Sequence, residues 1–206
     1  MNEQKKYEFT GEIKVVFGIN FKQIRAIINF GCVVAGEIGG WIECEENLSQ
    51  SGNAWVYGDA RVYGNARVSG DARVYGNARV SGNARVYGDA SVSGNAWVYG
   101  DARVYGNAWV SGDARVSGNA SVSGNADVKK DDDYMVIGGA GRYNRFTTFF
   151  KCRDKTIKVI CGCFFGTIIE FRAKVKETHK GNKHEKVYLA MADMAELQIG
   201  NDEVEK

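Results

Sequence analysis

From Gly52 to Lys129 the apolar positions recur every six residues. A Val stands at each sixth position from Val56 to Val128, an Ala two places before it from Ala54 to Ala126, and polar or charged residues fill most other places. Residues 52–129 divide into 13 such units with no insertion or deletion. Each unit opens on Gly followed by Asn or Asp, residue types that accept the positive φ of a tight corner. Arg, Trp, Ser or Asp precedes each Val, and Tyr, Ser or Lys follows it, so in an extended segment the Val points inward and its neighbours face water. Straights this short hold no hairpin ladder of their own. Coiling resolves this, because each straight then pairs with the one a full turn away and valine stacks on valine. A strict short period marks a repeat architecture. Collagen is excluded, since Gly recurs every sixth residue and the chain has no Pro.

The flanks break this period. Residues 1–6 read as a polar, frayed end. From Tyr7 follow short strands, YEFTG and IKVVF, a turn at Gly18-Ile19-Asn20, and FKQIRAIINF. An open coil end exposes unpaired strand edges, so residues 1–39 are read as an N-terminal β cap. Asn29 to Ser51 is a degenerate form of the repeat; Ile42 and Leu48, twelve and six residues before Ala54, put the start of coiling near Gly40 and the repeat body at 40–129. Lys129-Lys130-Asp131-Asp132-Asp133 forms a charged joint to a C-terminal α+β module at 130–206. There the pattern predicts a hairpin turning at Arg153-Asp154-Lys155. It also predicts a helix from Thr167 to Lys180 with Ile168, Phe171 and Val175 on one face and Glu170 four before Lys174. A second helix, Glu185 to Gln198, puts Val187, Met191, Met194 and Leu197 on one stripe. NDEVEK reads as a solvated tail.

Composition narrows the class. The formal charge is +2 over 206 residues, which steers neither nucleic acid nor membrane. No apolar run approaches membrane length, and MNEQKKYEF carries no signal-peptide pattern. Five cysteines, an odd number, fit free thiols in a reducing cytoplasm.

The unit resembles the hexapeptide repeat of left-handed β-helix proteins, with an inward aliphatic residue and a small residue four places later, as in Val56 and Ala60. That resemblance implies an all-β left-handed parallel β-helix, a triangular prism with about three units per coil, and side-by-side homotrimers as the leading assembly. Residues 7–130, notably GGWIE, ENLSQ and NAWVYG, are also similar to phage and prophage hexapeptide-repeat proteins, often labelled acyltransferases by fold analogy. This implies a phage or prophage origin and supplies no activity.

Candidate chemistry lies in the outer columns. With three units per coil, residues eighteen apart stack about 4.8 Å apart. One face aligns Arg67, Arg85, Arg103 and Ser121, with Tyr87 and Tyr105 beside them. A second aligns Arg61, Arg79, Trp97 and Arg115, and the third Trp55, Arg73, Ser91, Trp109 and Asp127. Stacked guanidinium groups beside aromatics can grip a nucleotide-like anion or an acidic partner surface. The plainer alternative is a solvated ladder, its repulsion offset by the corner residues Asp59, Asp71, Asp89, Asp101 and Asp113. Acyl transfer in this fold looks to a His base, and residues 1–178 contain none, so no catalytic residue is assigned. Cys152, Cys161, Cys163, His179 and His184 lack the two well-spaced pairs of a zinc site, so no metal is assigned. Gly138-Gly139-Ala140-Gly141 fits neither dinucleotide nor P-loop spacing and reads as a turn; no cofactor is assigned. The reading is a non-catalytic, phage-encoded scaffold of the host cytoplasm that binds a partner protein or anionic ligand and interferes with a host pathway. The alternatives are an acyl-CoA-dependent acyltransferase and a virion or assembly component.

Overall fold

The computed structural model describes residues 5–141 and 143–200; the NDEVEK tail lies outside them. The chain is a β-solenoid of about five turns carrying a small C-terminal module with two helices. Its first strands are β1 (Tyr7–Val16), β2 (Ile19–Ala26) and β3 (Ile38–Ile42). Thirteen two-residue strands follow, one per repeat, from β4 (Trp55–Val56) to β16 (Asp127–Val128). Each of the first ten pairs in parallel with the strand eighteen residues on, as in Val56 with Val74, Val62 with Val80 and Val68 with Val86. One coil therefore contributes to three parallel sheets, and every repeat Val and Ala has 0% exposure.

The start of the coil differs in phase from expectation. Ile42 pairs with Val62 and Leu48 bridges to Val68, twenty residues on in each case. Both therefore occupy the valine column rather than the alanine one, and the two extra residues are absorbed in the corner before Trp55. The N-terminal strands also merge. β1 and β2 form one antiparallel hairpin turning at Phe17 and Gly18, both at positive φ, where three short strands were expected. β2 pairs with β3, so the hairpin extends one of the three sheets past the first coil.

Coil polarity dictates what each cap must supply. Every coil donates its N–H groups to carbonyls of the following coil, as Trp55 does to Ala72 (3.0 Å) and Tyr57 to Val74 (2.8 Å). The first coil is left with spare carbonyls and the last with spare N–H groups, and buried groups of either kind need partners. The N-terminal end supplies donors. Lys6 Nζ reaches the carbonyls of Ala54 (2.8 Å) and Gly52 (3.3 Å), and the Tyr7 hydroxyl donates to Leu48 (2.9 Å). The Asn47 amide donates to the Gly64 and Ala66 carbonyls, each at 2.9 Å. The C-terminal end supplies acceptors: Asp131 Oδ1 for Arg115 N (2.7 Å), Tyr134 Oη for Ser117 N (3.3 Å) and Thr148 Oγ1 for Ser121 N (3.0 Å). Lys6, expected in a frayed end, is only 2% exposed because this role buries it. Likewise the Asp131–Asp133 run folds as a 3-10 turn against the last coil rather than as a solvated joint.

The C-terminal module is an antiparallel sheet in the order β17 (Tyr134–Ala140), β18 (Arg145–Lys151), β19 (Ile157–Cys161), β20 (Phe164–Thr167), followed by α1 (Ile168–His179) and α2 (Lys183–Ile199). Alternation along β18 serves both neighbours. Phe150, with Cys152 just beyond the strand, joins the solenoid core, and Phe149 joins a second core with the helices. α1 buries Ile168, Phe171 and Val175 as its spacing predicts. Glu170, however, closes a capping box on Thr167 instead of pairing with Lys174, which meets Glu177 at 2.9 Å. The stripe on α2 is rotated. Tyr188, Met191, Ala192, Ala195 and Ile199 are buried, while Met194 and Leu197 stand 55% and 66% exposed. The alanines allow close approach, and Tyr188 packs edge-on against Phe171 at 5.9 Å, which fixes that rotation.

Candidate functional site: an open arginine–tyrosine column

The two arginine columns, alike in sequence, have different fates in the fold. The eighteen-residue register places Arg61 beside Arg79, Arg79 beside Trp97 and Trp97 beside Arg115. The hairpin tip lies over the upper part of this face. Val16, Ile19 and Phe21 line a narrow gap against Arg61, Tyr63 and Arg79, Phe21 meets Tyr63 edge-on at 5.4 Å, and Arg61 sits 5.9 Å above the Phe21 ring. Arg79 stacks on Trp97 at 5.1 Å, and the indole donates to Ser81 Oγ at 2.9 Å. Arg61 and Arg79 are thus half-buried packing elements, and of this column only Arg115 is fully exposed.

The column Arg67, Arg85, Arg103 is paired in the same register and stays open. Among the described residues none of its guanidinium groups forms an ion pair. Three of the five corner carboxylates expected to offset them point along the corners instead. Asp71, Asp101 and Asp113 accept amide hydrogens from Asn53 (2.7 Å), Asn83 (3.0 Å) and Asn95 (3.0 Å) in ladders along the corners. Beside the arginines runs the column Ser69, Tyr87, Tyr105, Ser123. The two rings stack at 5.0 Å with an interplanar angle of 3°. Ser69 is too small to continue that stack, so one face of Tyr87 stays uncovered. There a groove of about 300 Å³ opens, lined by Arg67, Ser69, Arg85, Tyr87 and Arg103. Desolvation, chiefly, and the neighbouring Tyr105 raise the Tyr87 pKa against the pull of Arg103 and Arg85, so the phenol remains a donor near neutrality.

The third face is largely occupied. Trp55 is buried under the N-terminal cap, Arg153 stacks on Trp109 at 4.6 Å, and Asp127 pairs with Lys129 at 2.8 Å.

The structure also brings together residues that the sequence left scattered. A pocket of about 600 Å³ in the C-terminal module is walled by Cys161, Cys163, Phe164, Phe171, Val175, His179 and Tyr188, with Tyr143, Arg145 and Lys174 at its rim. Cys152 lies apart in the solenoid core, and His184 sits beside His179 with ring centroids 5.8 Å apart. No group of three or more His, Cys, Asp and Glu side chains converges as a metal set among the described residues. All five cysteines are unpaired, and no described helix is long and apolar enough to cross a membrane.

Comparison with known proteins meets this geometry in the solenoid repeats. A family model described as the YdcK beta solenoid repeat matches residues 60–76, 72–86, 78–94, 84–100, 96–112 and 108–124. This is a repeat β-helix protein. Over 36 residues, 18% of this chain, it is 53% identical to a protein of Escherichia coli (strain K12) named "Uncharacterized acetyltransferase YdcK". The shared stretch covers 11% of that protein's length.

Proposed function

We propose that this chain is a non-catalytic binding scaffold whose open column takes a planar, anionic ligand of the nucleotide type. The observation that carries the reading is the slot at Ser69. A flat ring entering it stacks on the free face of Tyr87, while its phosphates lie along Arg67, Arg85 and Arg103, none of which forms an ion pair among the described residues. Guanidinium groups bind phosphate bidentately, and aromatic stacking adds about 1–3 kcal/mol per base. The test is titration of the intact protein with adenosine triphosphate. Arg85→Glu with Arg103→Glu abolishes binding under this reading. Ser69→Tyr, a residue the repeat already uses at that position, fills the slot and lowers affinity at least tenfold while the fold is retained. Unchanged affinity in both variants refutes it.

Finer features belong to the same proposal: a left-handed coil of triangular section, side-by-side trimers, a phage origin, and residence in the host cytoplasm with a host pathway as target. Phe17 supports self-association, since it stands 95% exposed at the hairpin tip. Light scattering that returns a monomer removes the trimer.

A second reading, acyl transfer, is favoured by the name of the E. coli relative. The solenoid offers it no His to act as base. A calorimetrically silent titration with acetyl-coenzyme A disposes of it.

A further inference from the structure

We infer that the pocket in the C-terminal module is a separate binding site for a small carboxylate with an apolar body, an aryl or medium-chain acid. Its volume of about 600 Å³ falls within the range of small-molecule sites, and such sites join an apolar wall to few polar groups. The wall here is Phe164, Phe171, Val175 and Tyr188, three of them aromatic, set between β19, β20 and the two helices. Among the described residues no acidic side chain lines it. The rim carries two cations. Lys174 is engaged by Glu177 at 2.9 Å. Arg145 has no ion-pair partner among the described residues.

Arg145 lies against two neighbours at the mouth. Its guanidinium lies 5.1 Å over the Tyr143 ring. It also lies across the turn at Gly162, where a Cβ would fall within 3.2 Å of the arginine Cδ. A guanidinium free of carboxylate partners among the described residues, at the mouth of an apolar cavity, recognises a carboxylate whose remainder is hydrophobic, because it supplies the charge while the wall removes apolar surface from water. The site does not depend on the solenoid column, and the two fail independently.

The experiment is nitrogen-15 chemical-shift titration of the full chain with octanoate, 2-naphthoate and, as the uncharged counterpart, octanol. Octanoate and naphthoate should saturate one site, moving amides of β19, β20 and α1, and should bind at least tenfold more tightly than octanol. Whichever acid binds tighter identifies the body as aliphatic or aromatic. Arg145→Gln should bring both acids down to the level of octanol and leave octanol itself unchanged. Thr178→Trp, at an exposed position on the rim, should block all three. Arg85→Glu with Arg103→Glu should change none of them. The inference is overturned by absence of saturation, by equal affinity for acid and alcohol in the unaltered protein, or by binding that survives Thr178→Trp.

Discussion

At the scale of single residues, one lysine defines the N-terminal end. Lys6 is buried beneath the hairpin with its ammonium on the Ala54 and Gly52 carbonyls and 5.0 Å from the Phe30 ring. Burial lowers its pKa from 10.5 to about 8, against the opposing pull of Asp71. In the unfolded chain the group keeps its ordinary value, so below about pH 8 both states are protonated and the burial cost is present in full. Between about 8 and 10.5 the folded state binds fewer protons, and stability rises with pH. Tyr7 acts in the opposite sense. Burial, then Glu45, raise its pKa above 10, so the unfolded state ionises first and stability falls above about pH 10. Urea midpoints measured from pH 7 to 11 should therefore climb and then drop. Lys6→Met should remove the climb and, by stripping donors from buried carbonyls, cost roughly 1–3 kcal/mol at pH 7. Because buried Cys152, its pKa raised from 9.0 to about 11, pulls the other way, the Lys6 contribution is read as the wild-type midpoint minus that of Lys6→Met, and a difference that does not climb between pH 8 and 10.5 would show that the ammonium is not desolvated.

At the scale of elements, the corner decides whether coils can stack. Gly94 and Gly118 have nearly equal φ, 64° and 62°, but different surroundings. A Cβ on Gly94 would lie 3.0 Å from the Gly112 backbone nitrogen, whereas one on Gly118, in the last coil, meets nothing within 4 Å. Gly118→Ala should cost only the left-handed backbone, about 1–2 kcal/mol. Gly94→Ala should add a further ~1 kcal/mol or more from overpacking, read as a lower urea midpoint. Equal midpoints would place the strain in the dihedral alone. These corners were legible in the sequence because their chemistry is local and repeated: Gly-Asx every sixth residue, Val on the inner wall, Ala beside it. The caps were not legible. A lone Lys6 in a polar terminus looks solvated until the spare carbonyls of the first coil are seen, and Asp131 looks like a joint until it meets the N–H of Arg115. The columns were legible as stacks but not as sites, because the hairpin that covers Arg61 and Arg79 reaches them only in three dimensions. The C-terminal pocket gave no signal at all, since its wall is drawn from β19, β20 and both helices, with Arg145 on β18 at its rim.

At the scale of the whole molecule, each coil touches only its neighbours, and the two caps grip opposite ends without meeting. Stability in such an array is a sum of units and nearest-neighbour interfaces, so losing one unit in phase lowers the total stability and the denaturant slope together and leaves the midpoint nearly unchanged. The binding column depends on which units stack, because its arginines and its slot come from particular units eighteen residues apart. Deleting residues 76–81, one whole unit, separates stability from binding. Every remaining Val still stacks on a Val, and both caps keep their own end coils. Arg85, however, moves from its place beside Arg67 to one beside Arg61, and Tyr87 moves from beside Ser69 to beside Tyr63, whose ring fills the slot. The shortened protein should unfold cooperatively with nearly the same urea midpoint and should no longer bind adenosine triphosphate. Removing only residues 76–78 shifts valine out of the inner wall for every later unit, and that variant should not fold. If the six-residue deletion unfolds as readily as the three-residue one, the coils are not interchangeable units. If it folds and still binds, the ligand sits somewhere other than the arginine–tyrosine column.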